Sequence, residues 1–200
     1  VIPHLHDFRA RYPAVTLEIS ATDRRIDLVS EGIDAVVRLA VLEDSELICR
    51  RIGDVPMLTC GGVGYLAQHG MPLTPADLAD HHLVNYALRM PAPLSEWEGL
   101  EGGHNITVAM QSHLCVDNAE SYVAGALHGH GLIQVPVYDV ADDIAAGRLL
   151  EVLPEFRPSP VPISILYARR RHLAPRLRAF MDWLEELLQA EGVVTDARNS

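Results

Sequence analysis

Between Val15 and Leu39 the chain reads as a strand, a short helix and a second, almost wholly apolar strand that ends on a charge, Arg38. A strand that is apolar on both faces needs cover on both. That describes the interior of a parallel sheet lined by helices, where ligands gather at the carboxyl ends of the strands. Arg38 falls at such an end, with Leu39 beside it. Desolvating a guanidinium there is costly unless an anionic or hydrogen-bonding group meets it. The segment therefore predicts an α/β fold with a small-molecule cleft.

Punctuation and periodicity extend this reading. After Pro3, the residues Leu5, Phe8 and Tyr12 fall at helical spacing and Pro13 stops the helix, while Val15, Leu17 and Ile19 alternate as a strand. Asp23 can cap a helix over 24–31, and Gly32 can end it in the left-handed region. Residues 33–39 then return parallel to the first strand, since a helical crossover joins them in one βαβ unit. Residues 48–60, broken by Gly53 and Pro56, read as a connector from one lobe to another.

A second α/β lobe follows. Thr74 and Pro75 make an N-cap and N1 pair, and Asp77 adds charge of the favourable sign to the first turn. Strands are expected over 82–87 and at Ile106, Val108 and Met110. The stretch 88–104 between them, with Pro91, Pro93 and Gly102-Gly103, reads as a loop. Asn118 can cap a helix running through Ala119 to His128, the Gly129–Gly131 turn ends it, and Leu132 to Val135 is a short strand stopped by Pro136. Pro154 to Pro162 is an extended connector, after which Ile163 to Tyr167 is a strand returning to the first lobe. Two crossings imply a hinge. The last helix carries Leu177, Phe180, Met181, Leu184, Leu187 and Leu188 on one stripe, and residues beyond Gly192 read as a frayed tail. The expected division is lobe I over 1–55 plus 164–192, lobe II over 56–163, and a flexible tail over 193–200.

Composition excludes several classes. A formal charge of −11 over 200 residues argues against direct contact with the phosphate backbone of nucleic acid, which needs clustered Lys and Arg. Cys49, Cys60 and Cys115 are odd in number and widely spaced, so they read as free, buried thiols in a reducing compartment. No run is long enough to span a bilayer and the N-terminus lacks a signal-peptide pattern, which predicts a soluble, cytoplasmic protein. His4 with His6, His81 with His82, and His128 with His130 look like metal pairs, yet no carboxylate or Cys joins them at ligand spacing, so no metal is expected. A nucleophile elbow, a P-loop and an HExxH helix are all missing, so neither catalysis nor a cofactor is expected.

An ordered set of residues carries a family resemblance. It begins with Pro3, Leu5, Phe8, Tyr12-Pro13 and Val15, and continues with Asp23-Arg24, Asp27-Leu28-Val29, Glu31-Gly32-Ile33-Asp34-Ala35 and Arg38. Asp44-Ser45, Leu47-Ile48, Arg50-Arg51, Tyr65-Leu66, Gly70, Pro72, Pro75, Asp77-Leu78 and His81 follow. After them come Gly129-His130-Gly131, Pro136, Gly147-Arg148-Leu149, Val152-Leu153, Tyr167, Pro175, Phe180 and Trp183-Leu184. Over roughly residues 1 to 186 the chain resembles the effector-binding (regulatory) domain of LysR-type transcriptional regulators. The resemblance implies a type II periplasmic-binding-protein-like fold, two Rossmann-like lobes joined by two crossing strands, with a metabolite in the cleft between them. It also implies an N-terminal winged helix-turn-helix, absent from this chain, that binds promoter DNA. Two departures stand out. The family has a strand before the first helix, lying between the strands expected here at 15–20 and 35–39, whereas this sequence begins inside the helix. Gly61-Gly62-Val63 also replaces the family's Ser-Pro helix start, leaving that start without its usual residues.

Candidate effector contacts are Thr22, Asp23, Arg38, Leu39, Tyr86, Asn118, Gln134 and Pro136. Each has a structural alternative. Asp23 either faces the cleft or caps a helix, and Arg38 either meets a ligand carboxylate or pairs with a nearby Asp. Tyr86 either stacks on a ligand or packs in the core, and Asn118 either opens an anion site at a helix N-terminus or only caps it. Gln134 and Pro136 enter by analogy with the family. The resemblance also implies an antiparallel homodimer, pairing residues 3–12 of one protomer with 118–127 of the other, and a tetramer in the full-length regulator. The alternative function is a periplasmic-type solute-binding protein, which would share the two-lobed architecture but carry an export signal.

Overall fold

Proline and glycine set most of the element borders in the computed structural model, which describes residues 1–22, 27–28, 30–40, 47–88, 92, 94–168 and 173–195. In chain order the elements are α1 (Leu5–Arg11), β1 (Val36–Leu39), β2 (Leu47–Val55), β3 (Met57–Gly62), α2 (Val63–His69), β4 (Asn85–Tyr86), β5 (Glu96–Glu101) and β6 (His104–Ala109). They continue with β7 (Cys115–Val116), α3 (Ala119–Leu127), β8 (Leu132–Pro136), α4 (Val137–Ala145), β9 (Leu149–Val152), β10 (Val161–Ala168) and α5 (Pro175–Ala190). Two compact units result. The second runs from Pro56 to Pro160 with the short stretch at Thr22, and the first takes the described residues on either side.

In the first unit three strands lie in the order β1–β10–β2, all antiparallel, with a register shift between Ile163 and Ser164. The stripe on α5 covers this sheet: Met181, Leu184 and Leu188 are buried with Ile52, Val55, Ile163 and Ile165. Phe8, the one buried residue of α1, sits 5.1 Å from the Trp183 ring and 5.7 Å from that of Phe180. Short apolar spacing on α1 thus becomes an aromatic anchor on α5. The Arg50 guanidinium of β2 fastens the same helix from its polar side, donating to Asp182 and Glu185.

The expected strand over 15–20 is absent. Val15 and Leu17 are half-buried against the core while Thr16 and Glu18 are exposed, so the alternation holds that far, but Ile19 is exposed and no strand among the described residues pairs with the segment. Period-two patterning records which side faces the core; a ladder also needs a neighbour. Strand β1 pairs with β10, antiparallel, and no preceding strand among the described residues pairs with it. The βαβ unit is therefore not formed among the described residues. The helix expected over 24–31, including Asp23 as its cap, lies largely outside them. Its end is present: Glu31 N–H donates to the Asp27 carbonyl, Ile33 N–H to that of Leu28, and Gly32 adopts φ +69°. The frayed tail also needs correction. Val193 and Val194 pack on the core, and Thr195 exchanges backbone hydrogen bonds with Asp54 (2.8 and 3.2 Å).

The stretch read as a connector is two strands, β2 and β3, divided by Pro56. In the second unit β8–β3–β9 are antiparallel, while single bonds tie residues 82–84 to Leu132 in parallel and β4 pairs with β7 in parallel. Among the described residues the parallel sheet expected from the sequence is thus confined to these short pairs and the bridge of His82 with Gln111. One core, around Leu58, Cys60, Ile133 and Val135, is closed by Tyr122 and Ala126 of α3 and Val140 of α4. A second surrounds Trp97, with Leu78, Met110, Leu132 and Val152.

Residues 96–101, expected as loop, are β5, hairpinned to β6. Gly102 and Gly103 are the two-residue turn, both with positive φ (+57° and +83°), as the primed hairpin turns require. Helix α2 starts at Val63 with no side-chain cap, matching the missing Ser-Pro pair. The turn after Thr74 is a 3-10 helix over Pro75–Asp80, where the Asp77 carboxylate accepts the N–H groups of Leu73 and Thr74. All three thiols are free, but only Cys60 is buried; Cys115 is half-buried and Cys49 exposed.

Candidate functional site

Three of the expected contact residues converge on a tyrosine that the sequence did not single out. Tyr122 lies one turn into α3, nearly enclosed, and its ring centroid is 5.3 Å from that of Tyr86. Its hydroxyl accepts the backbone N–H of Gln134 at 3.1 Å. Burial pushes the Tyr122 hydroxyl up to about 12, so it stays protonated at neutral pH. Asn118, at the head of the same helix, accepts the Ser121 N–H at 2.9 Å, satisfying one of the orphan donors of the first turn. Tyr86 is in register with Val116, two residues before that cap. The carboxyl ends of β4 and β7 and the amino end of α3 therefore meet, the local geometry in which oriented N–H groups favour an anion.

Gln134 turns its amide to structural work. Its Nε2 donates to the Glu98 carbonyl (2.7 Å) and to the Thr59 hydroxyl (3.2 Å), and its Oε1 accepts the Glu98 N–H (3.0 Å). Thr59, 1% exposed on β3, also accepts the Trp97 indole N–H. The one readable hint was a hydroxyl inside the apolar run Met57–Gly62. Pro136 is buried at the end of β8, in register with Met57.

In the first unit Arg38 and Leu39 are half-buried on β1, opposite Ser164 and Ile163 of β10, and Leu39 packs on the core. Thr22 is exposed and belongs to the second unit. Asp23 lies outside the described residues. No group of three or more His, Cys, Asp or Glu among the described residues is arranged to hold a metal ion. Two paired histidines bond to nearby carbonyls instead, His6 to Pro3 and His128 to Ala124. No helix among the described residues is long and apolar enough to cross a membrane.

Residues 1–189 match the family model of the LysR substrate binding domain. The chain belongs to that family. This LysR effector-binding domain is 33% identical over 189 residues to the uncharacterized HTH-type transcriptional regulator YhjC of Escherichia coli K12, covering 94% of the chain and 63% of YhjC. Against an HTH-type transcriptional repressor of Pseudomonas aeruginosa UCBPP-PA14 it is 32% identical over 187 residues, covering 94% and 59%. The domain thus spans about three fifths of the length of these curated relatives. Among solved structures, the regulatory domain of CrgA, a LysR-type transcriptional regulator from Neisseria meningitidis, is similar with TM-score 0.80 and 28% identity, covering 94% of this chain and 91% of that one. The regulatory domain of AphB in Vibrio vulnificus gives 0.71 and 25%, with 94% and 91% covered. These neighbours give this LysR domain the type II periplasmic-binding-protein-like fold, and relatives that are transcriptional regulators do not favour the solute-binding alternative.

Proposed function

We propose that this domain senses a small anionic metabolite and, within a longer protein, passes its presence to a DNA-binding segment that controls transcription from the cytoplasm. The family match along residues 1–189 carries this reading. In the second unit the effector's carboxylate would meet the N-terminus of α3 beside Asn118, with Tyr86 against its body, while Gln134 and Pro136 shape the wall. Arg38 with Leu39 on β1, and Thr22 and Asp23, are the remaining proposed contacts.

Self-association belongs to the same reading. Ala119, Glu120, Val123, Ala124 and Leu127 of α3 line an open groove with Asp139 of α4, a largely apolar helix face suited to receiving α1 of a second copy. Promoter DNA would be met only outside these residues, given their charge of −11.

The test is a thermal-shift screen of aromatic and aliphatic carboxylates. A ligand bound only by the folded state raises the melting point by mass action. A hit weakened at least tenfold by Arg38→Ala and by Asn118→Ala supports the assignment. A hit indifferent to both removes these residues from the site, and absence of any carboxylate hit removes the anionic class.

A further inference from the structure

Four imidazoles and a phenol, none of them among the contacts assigned above, gather where α2 meets the residues leading into β4. His69, at the end of α2, stacks on Tyr65 with ring centroids 4.4 Å apart. The Tyr65 ring lies 5.7 Å from that of His81, and His69 stands 6.3 Å from His81 and 6.2 Å from His82. His82 in turn is 4.3 Å from His113, which precedes β7. His81 is 4% exposed, and its Nδ1 is shut from water with no hydrogen-bond partner. The backbone beneath is critical. His82 N–H donates to the Tyr65 hydroxyl (2.8 Å), the His82 carbonyl accepts Leu132 N–H (2.8 Å), and Val84 N–H donates to the Leu132 carbonyl (2.9 Å). The imidazoles therefore sit on the bonds that attach residues 82–84 to β8.

We propose that this cluster makes the attachment of residues 81–84 to β8 proton-sensitive, so that uptake of a proton by the buried His81 and the half-buried His82 in mildly acid solution loosens the second unit. The groups that face His81 are Tyr65 and His69 from α2, Asp77 and Asp80 from the 3-10 turn, and His82 beside it; His82 faces His69 and His113. Two carboxylates could balance a charge on His81. Asp77, however, is committed to the N–H groups of Leu73 and Thr74, and Asp80 is opposed by His69 and His82. Burial first, then His69, holds His81 below the ordinary histidine range despite Asp80 and Asp77; burial, then His113 and His69, does the same for His82.

The sign follows. An unfolded chain takes protons near the ordinary histidine value of 6.5, whereas the folded one resists them until lower pH. Stability is therefore full above about 6.5 and falls as the pH drops below it, until the folded values are reached.

The experiment follows thermal unfolding of the chain from pH 7.5 to 5.5, above the range of most carboxylates, with and without a chelator. The melting point of the wild type should fall across this window, and His81→Phe combined with His82→Gln should flatten the decline. Exchange of the Leu132 amide, corrected for its intrinsic pH dependence, should accelerate in the wild type alone. If the double variant does not fold, His113→Asn, at an exposed position beside His82, should remove part of the slope. Unchanged slopes in the variants overturn the proposal. A slope abolished by the chelator also overturns it, reassigning the cluster to a bound cation.

Discussion

Trp97 donates its indole N–H to the hydroxyl oxygen of Thr59 at 2.9 Å, and neither side chain reaches water. Because Thr59 also accepts from Gln134, one hydroxyl on β3 secures both β5 and β8. Thr59→Val keeps the shape and strands two donors, one of them fully buried. A buried unmade hydrogen bond costs about 1–3 kcal/mol, and urea unfolding followed by tryptophan fluorescence should register a loss in that range. An unchanged midpoint would mean that the hydroxyl holds nothing.

Gly99 is required by contact rather than by backbone angle. A Cβ there would lie 2.1 Å from Trp97 Cη2 and 2.7 Å from the Phe156 carbonyl oxygen. Trp97 is enclosed and the carbonyl belongs to the backbone, so neither can swing away. Gly99→Ala should cost about 1–3 kcal/mol as overpacking and perturb the near-UV circular dichroism of the tryptophan.

Arg50 joins β2 to α5 through two carboxylates at once, and those bonds outweigh the cost of burial in holding its pKa up. The side chain is about a third exposed, so solvent screening limits its worth. Arg50→Ala should lose about 1 kcal/mol, a difference that shrinks in 1 M salt. Equal losses at low and high salt would point to packing by the aliphatic stem instead.

Alkaline pH should attack the second unit. Burial, aided by Glu151 and Asp143, pushes the Cys60 thiol from 9.0 to about 12, and burial raises Tyr122 from 10.0 to about 12. Both groups are raised in the folded state, so their contribution is complete below pH 9 and is lost as the pH climbs toward 12. Thiol labelling at pH 8 gives an independent check: Cys49 should react in the native chain, whereas Cys60 should wait for unfolding. Prompt modification of Cys60, read by mass spectrometry, would contradict its enclosure.

What could be read in advance depended on whether a residue's neighbours are local. The stripe on α5 and the Asn118 cap are properties of adjacent turns, and both match the structure. Ladder partners are not local. Val15 to Ile19 alternates in sequence, yet no strand among the described residues pairs with it, and β1 takes a partner more than 120 residues away. In residues 88–104 the prolines mask the Trp97 and Gly99 alternation, and Gly102-Gly103, which reads as loop, is a hairpin turn. At the candidate site, Tyr86 and Asn118 were readable as strand-end and cap residues, and Gln134 entered by family analogy. Tyr122, which gathers all three, carried no signal, because a tyrosine on a helix reads as ordinary core. Its role appears only once β8 delivers the Gln134 amide to its hydroxyl.

The pairing of Thr195 with Asp54 has a practical corollary. Gly53 leaves room for Val194 and Thr195, since a Cβ there would fall 2.9 Å from both the Thr195 carbonyl oxygen and Val194 Cβ. A label or fusion appended after Thr195 is thus moored beside the last residues of β2, one step ahead of the proline where the chain leaves the first unit. A fluorophore there would report from a fixed berth rather than from a swinging tether, whereas trimming the chain at Gly192 would cast that berth loose.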